Sequence, residues 1–117
     1  MKLIIKNLVG ENCVTMDDGQ KVYDAIFSKL SSGKKIELDF SGVEVFASPF
    51  LNSAIGQLLK NIPENKLTSL LVVKNMTASS FEVLKRVIEN SKEYYSKANV
   101  KNAVDKVLQK QEGDLDD

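Results

Sequence analysis

KIELDFSGVEVFASPFLNSAIGQLLKNI, residues 35–62, sets the architecture of the chain. Its first part alternates strictly. Ile36, Leu38 and Phe40 face one way and Glu37 and Asp39 the other, so residues 35–40 read as a strand with one apolar face. Ser41-Gly42 breaks the strand, and Val43 to Ala47 forms a connecting segment. Ser48-Pro49 then opens a helix, because serine is a favoured N-cap and proline is tolerated at the first helical position, where its missing N–H has no partner to lose. Leu51, Ala54, Ile55, Leu58, Leu59 and Ile62 line the buried face of that helix, and Asn52, Ser53, Gln57 and Lys60 the wet one. Gly56 lowers helix stability, so a close neighbour is expected against it.

The same alternation of strand and helix extends outward. Residues 3–9 (LIIKNLV) are rich in branched apolar side chains and predict a strand, followed by a turn at Gly10-Glu11-Asn12. Cys13-Val14-Thr15 is expected to pair back as a short second strand. Thr15 with Asp18 is suited to cap the next helix, Asp17 with Gln20 being the alternative. Val22, Tyr23, Ile26, Phe27 and Leu30 make one apolar face of that helix, and Ser31-Ser32-Gly33 ends it. Beyond Pro63, residues 68–74 (TSLLVVK) are apolar on both faces, as in a central strand covered on two sides. Ser79-x-x-Glu82 is a capping box, followed by Leu84, Val87, Ile88, Ser91 and Tyr95 at helical spacing. A last helix is expected from near Asn99, with Val100, Ala103, Val104, Val107 and Leu108 as its stripe.

This order implies an α/β fold, with a mostly parallel central sheet of three to four strands and about four helices. A single domain is expected over residues 1–111, and residues 112–117, with four acids in the final seven positions 111–117 and no base, form an acidic tail. In parallel sheets, ligands and partners meet the carboxyl ends of the strands. That edge carries Asp39, Ser41, Gly42, the Val43–Ala47 loop, Ser48 and Asn75.

Composition narrows the chemistry. The 117 residues include no histidine, no tryptophan and one cysteine, Cys13. A Ser-His-Asp triad, a Cys-His pair, a histidine metal site and an internal disulfide are all excluded. Sixteen basic and sixteen acidic residues give zero net charge, which argues against an electrostatic grip on nucleic acid. The longest apolar run, Leu70 to Val73, is far short of the about 20 residues that span a bilayer, so no membrane partner is expected and a cytoplasmic location is. The six glycines fit neither a GxGxxG nor a P-loop spacing, and no cofactor is expected. Cys13 reads as a packed small side chain, with Glu11, Asp17 and Asp18 near it in sequence raising rather than lowering its pKa.

DFSGVEVFASPFLNSAIGQLL, residues 39–59, resembles the central motif of the STAS family, the domain of sulfate transporters and anti-sigma factor antagonists. It is more similar still to a STAS-like bacterial family of unknown function. Asp39, Ser41 and Val43 match the Asp-x-Ser-Gly-Val part. Ser48 falls at the antagonists' phosphorylatable serine, and Phe50, Leu51, Gly56 and Leu58 suit the STAS-like variant. The resemblance implies a regulatory module that docks a protein partner, a kinase-like ATP-binding protein or an anti-sigma-type protein, and releases it when Ser48 is phosphorylated. Phosphate would add about −1.5 to −2 charges at a helix start that accommodates anions. Ala47, Pro49 and Phe50 depart from the antagonists' acidic, serine or threonine, and glycine positions, and offer a kinase a bulkier and stiffer site.

The candidate partner-binding set is Asp39, Ser41, Phe46, Ser48, Phe50 and Asn52, with Ser48 as candidate phosphoacceptor and no catalytic residue. Each has a plainer reading beside it. Ser48 caps the helix, Asp39 bonds the Ser41-Gly42 turn, and Phe46 and Phe50 pack in the core instead of forming an exposed aromatic patch. The apolar stripe of the last helix either packs on the sheet or docks a second copy, so a homodimer is allowed. The alternative function is a small-molecule or nucleotide sensor that uses the same strand ends. An enzyme is disfavoured, because no motif organises Ser48, Asp39 and the lysines.

Overall fold

Strand β3 (Ile36–Asp39) lies at the centre of three parallel strands, between β1 (Lys2–Ile4) and β5 (Leu71–Lys74), in a computed structural model that describes residues 1–96. The register sets Leu3 beside Leu38 and Leu38 beside Val73, and sets Ile36 beside Leu71. This face is the covered one. Ile36 and Leu38 are buried and join Val22, Ile26 and Leu30 of α2 (Met16–Ser31) with Phe50, Leu51 and Ala54 of α3 (Ser48–Ala54) in one apolar cluster. The opposite face carries Lys2, Glu37 and Val72 in one row and Ile4, Asp39 and Lys74 in the next. Val72 and Ile4 stay about 40% exposed there.

The α/β class and the parallel sheet agree with the sequence reading, while several element boundaries differ from it. The expected strand 3–9 is β1 followed by a short helix, α1 (Ile5–Val9). A strand would carry Asn7 inward with Ile5 and Val9, whereas one helical turn buries Ile5, packs Val9 on the core and leaves Asn7 in water. That turn carries the chain away from β1. The next extended residues, β2 (Asn12–Cys13), therefore do not pair back. They pair in parallel with β4 (Val45–Phe46), which forms inside the segment expected to be a mere connection.

The helix expected over 48–62 divides. After α3 the backbone leaves helical geometry at Ile55 and continues as a 3-10 turn, Gly56–Lys60. A Cβ on Gly56 would lie 2.5 Å from Ser91 Oγ and 3.2 Å from Val87 Cγ1, so the expected close neighbour is α5, the helix over residues 78–96. The strand expected over 68–74 shortens because α4 (Glu64–Leu70) runs through its first half. Thr68 donates to the Glu64 carbonyl and Ser69 to the Lys66 carbonyl, bonds that fit the helical turn they close. What remains, β5, is an edge strand and not a central one: its exposure alternates, and Val72 faces outward.

Two helix starts and one helix end rest on specific bonds. Thr15 Oγ1 accepts from Asp18 N at 3.1 Å, as expected for α2. Gly33, at φ 86, donates to Leu30 while Lys34 donates to Lys29, closing α2 on a left-handed glycine. The start of α5 differs from expectation: Thr77, not Ser79, accepts from Ser80 N at 3.1 Å. The expected last helix from Asn99 and the acidic tail lie outside the described residues.

Candidate functional site

Asp39 ends β3 and is 7% exposed. Its Oδ1 accepts from Ser41 N at 2.9 Å, Ser41 Oγ at 2.7 Å and Asn75 Nδ2 at 2.8 Å. Lys2 Nζ lies 3.4 Å from Oδ2. The Asn75 bond, then the two Ser41 bonds, hold the carboxyl well below the usual carboxylate range, because each stabilises the ionised form. Val43 N bonds the Phe40 carbonyl across the next turn, and Gly42 there has φ 77, a conformation that glycine adopts without strain. Asn75 also sits in the left-handed region, at φ 64, where asparagine is among the tolerant residues. The Asp39 carboxylate thus ties the β3–β4 turn to the β5–α5 loop. Of its two readings, the turn-bonding one describes this geometry.

Ser48 stands at a different kind of position. The bond from Ala47 N to the Cys13 carbonyl, 2.9 Å, extends the β2–β4 pairing up to Ala47. Ala47 is therefore the extended N-cap residue, and α3 starts at Ser48 with Pro49 behind it. Ser48 is not the cap that the sequence suggested. It is exposed, and its hydroxyl enters none of the hydrogen bonds among the described residues.

The strand pair that leads into α3 and the start of α2 expose apolar side chains. Cys13 and Phe46 are register partners that turn inward, so alternation turns Asn12, Val14, Val45 and Ala47 outward. Val14 is 40% exposed, Val45 46% and Met16, at the start of α2, 65%. Periodicity alone did not select these three. Their signal was the short strand at Cys13–Thr15, which gains meaning only with β4 beside it.

The remaining candidates separate. Phe46 is half-buried, with its ring 5.3 Å from that of Phe40. Phe50 is fully buried and offers no contact surface, which corrects the aromatic-patch reading. It is inward because α3 packs hard on α2. A Cβ on Gly19 would collide with Ser53 Oγ and the Phe50 carbonyl, and Ser53, expected to be wet, is buried with its hydroxyl donating to the Met16 carbonyl at 2.9 Å. Asn52 is exposed but lines a hollow with Asn90, Tyr94 and Tyr95 of α5. The structure therefore groups Asp39, Ser41 and Asn75 as one cluster and leaves Ser48 on the β2–β4 surface. Cys13 is buried, and burial first, then the Asp18 charge, push its thiol up to about 11.

Among the described residues no helix is long and apolar enough to cross a membrane, and no group of three histidine, cysteine or carboxylate side chains is placed to hold a metal. No curated protein and no solved structure matches the chain significantly. The model of one family, described as a STAS-like domain of unknown function (DUF4325), matches residues 18–81, from the first turn of α2 into the first turn of α5. That span holds β3, the Asp39 turn, Ser48 and β5, and it covers more than half of the chain, which belongs to this family of STAS-like domains.

Proposed function

We propose that the protein is a non-enzymatic regulatory module that docks a protein partner through the outward surface of β2 and β4 and the adjoining start of α3, with Ser48 as its phosphoacceptor. The observation that carries this reading is the setting of Ser48. A hydroxyl that enters no hydrogen bond among the described residues is exposed at the start of α3, directly after the β2–β4 pair whose outward positions include the exposed Val14 and Val45. Apolar surface of this kind drives association by leaving water, and a phosphate brings about two negative charges to its rim. Docking would then be lost without any change of fold. The resemblance to anti-sigma factor antagonists supplies the partner class: an anti-sigma-type or kinase-like ATP-binding protein.

The test is affinity capture from the native host with wild-type, Ser48→Asp and Val45→Asp baits, together with mass spectrometry of Ser48. A partner held by wild type and released by both variants supports the surface. Equal retention by all three baits places the interface elsewhere.

A further inference from the structure

Strand β5 leaves one side of its backbone without partners. Phe40 N donates to the Lys74 carbonyl at 3.0 Å, which fixes the direction of that residue's backbone groups. Successive residues of a strand point their N–H and C=O to opposite sides. Val72 and Lys74 therefore bond β3, and Val73 turns its N–H and C=O away from the sheet. Neither group enters a hydrogen bond among the described residues. Leu71 points the same way, but its N–H closes α4 on the Leu67 carbonyl.

The side chains beside this edge complete a site. Leu71 and Val73 share the covered face of the sheet with Ile36 and Leu38, yet they stay half-buried where Ile36 and Leu38 are buried. With Leu67, Phe81 and Ile88 they line a cavity of about 210 Å³. The Glu64–Lys92 ion pair, at 2.7 Å, ties α4 to α5 at one end of it, while Phe81, near the start of α5, is 46% exposed. On the opposite face of β5, Val72 is 40% exposed, and the exposed Lys74 enters no ion pair among the described residues.

We propose that the edge of β5 takes an extended segment of a partner protein as a fourth, antiparallel strand. Such a strand exchanges two N–H···O bonds with Val73. Residues directly opposite each other share a face, so the one opposite Val73 points its side chain into the cavity. A cavity of about 150 Å³ already holds benzene, so there is room for a leucine or phenylalanine side chain. The preceding residue lies opposite Lys74 and the following one opposite Val72. Charge complementarity then calls for an acid, a large apolar residue and a β-branched residue, in that order. A second copy matches this edge less well. Paired about Val73, β5 would set Lys74 against the partner's Val72 and supply no acid. None of these residues belongs to the β2–β4 surface, so the proposal does not rest on the reading of Ser48.

The test pans a phage-displayed random peptide library against the full chain and then titrates the enriched peptide while backbone amide signals are followed by NMR. Enriched sequences are expected to share the acid, large apolar, β-branched order. The Val73 amide, exchanging fast in the chain alone, should shift and become protected on binding. The same peptide N-methylated at its central apolar residue should not bind, because that N–H is the one offered to the Val73 carbonyl. Panning against Lys74→Gln should lose the preference for an acid and keep the apolar one. Equal binding of the N-methylated peptide would mean that the cavity takes a side chain without strand addition, and would overturn the proposal. A Val73 amide already protected in the chain alone would show the edge to be covered, by a second copy or by the chain itself, and would overturn it too. So would a library that yields no enriched sequence.

Discussion

Asp39 commits both carboxylate oxygens to its own chain, and this makes its effect depend on pH. Its folded pKa is depressed by Asn75 and Ser41. The stability that it contributes is therefore present above the unfolded value, about 3.9, and is lost as pH falls from there toward the folded value. In urea melts, Asp39→Asn is expected to be less stable than wild type at neutral pH, with the gap shrinking as the buffer is taken below pH 4. A gap that does not change with pH would remove the ionised clasp from the account. Cys13 works in the opposite sense: its thiol is raised to about 11, so the folded state favours the neutral form up to that pH. At pH 8 it should resist a thiol reagent such as DTNB in the native state and react at once in denaturant, and fast native labelling would show that the pocket opens. Both roles were partly legible. An aspartate two residues before Ser41 announces a turn bond, but its link to Asn75, thirty-six positions away, requires β3 and β5 to be neighbours.

At the scale of elements, capping separates two serine and threonine positions that look alike in the sequence. Thr15 is a cap in fact, and Thr15→Ala should cost about 1 kcal/mol. Ser48→Ala removes no cap and should leave the melting curve where it was. If Ser48→Ala destabilises as much as Thr15→Ala, the start of α3 is misplaced by a residue. The α2–α3 contact gives a sharper case. Alanine for Gly19 raises intrinsic helix propensity, yet the added carbon meets Ser53 and the Phe50 carbonyl, and overpacking of this kind costs about 1–3 kcal/mol. Gly19→Ala is therefore expected to destabilise in denaturant titration despite the propensity gain. Gly56 was legible as a contact point because glycine is out of place in a helix interior. Gly19 was not, since a glycine in the first turn of a helix raises no alarm. The strand at 68–74 misread for a related reason: a short apolar run does not distinguish a helix end from a strand start, and Thr68 and Ser69 settle it through bonds to the preceding turn.

Across the whole molecule, the sheet order and the surface of the site have different sources. The alternation in KIELDF fixes which face of β3 is covered, and that much of the core is local information. The pairing of β2 with β4 is not local, because thirty-three positions separate Asn12 from Val45 and neither strand has a pattern of its own. The exposed surface of Val14, Met16 and Val45 exists only through that pairing, so it could not be read from the chain. It also determines how docking should respond to salt. The chain has no net charge, and Val14, Met16, Val45 and Pro49 put no charge at the centre of the proposed contact. Salt screens exposed charges and leaves apolar burial intact. Partner affinity of the unmodified protein, measured by calorimetry at low and at high salt, should therefore change little, and the heat-capacity change on binding should be negative, as apolar burial requires. Affinity that falls steeply with salt, with no such heat-capacity change, would make the contact a charged one and move it off β2 and β4.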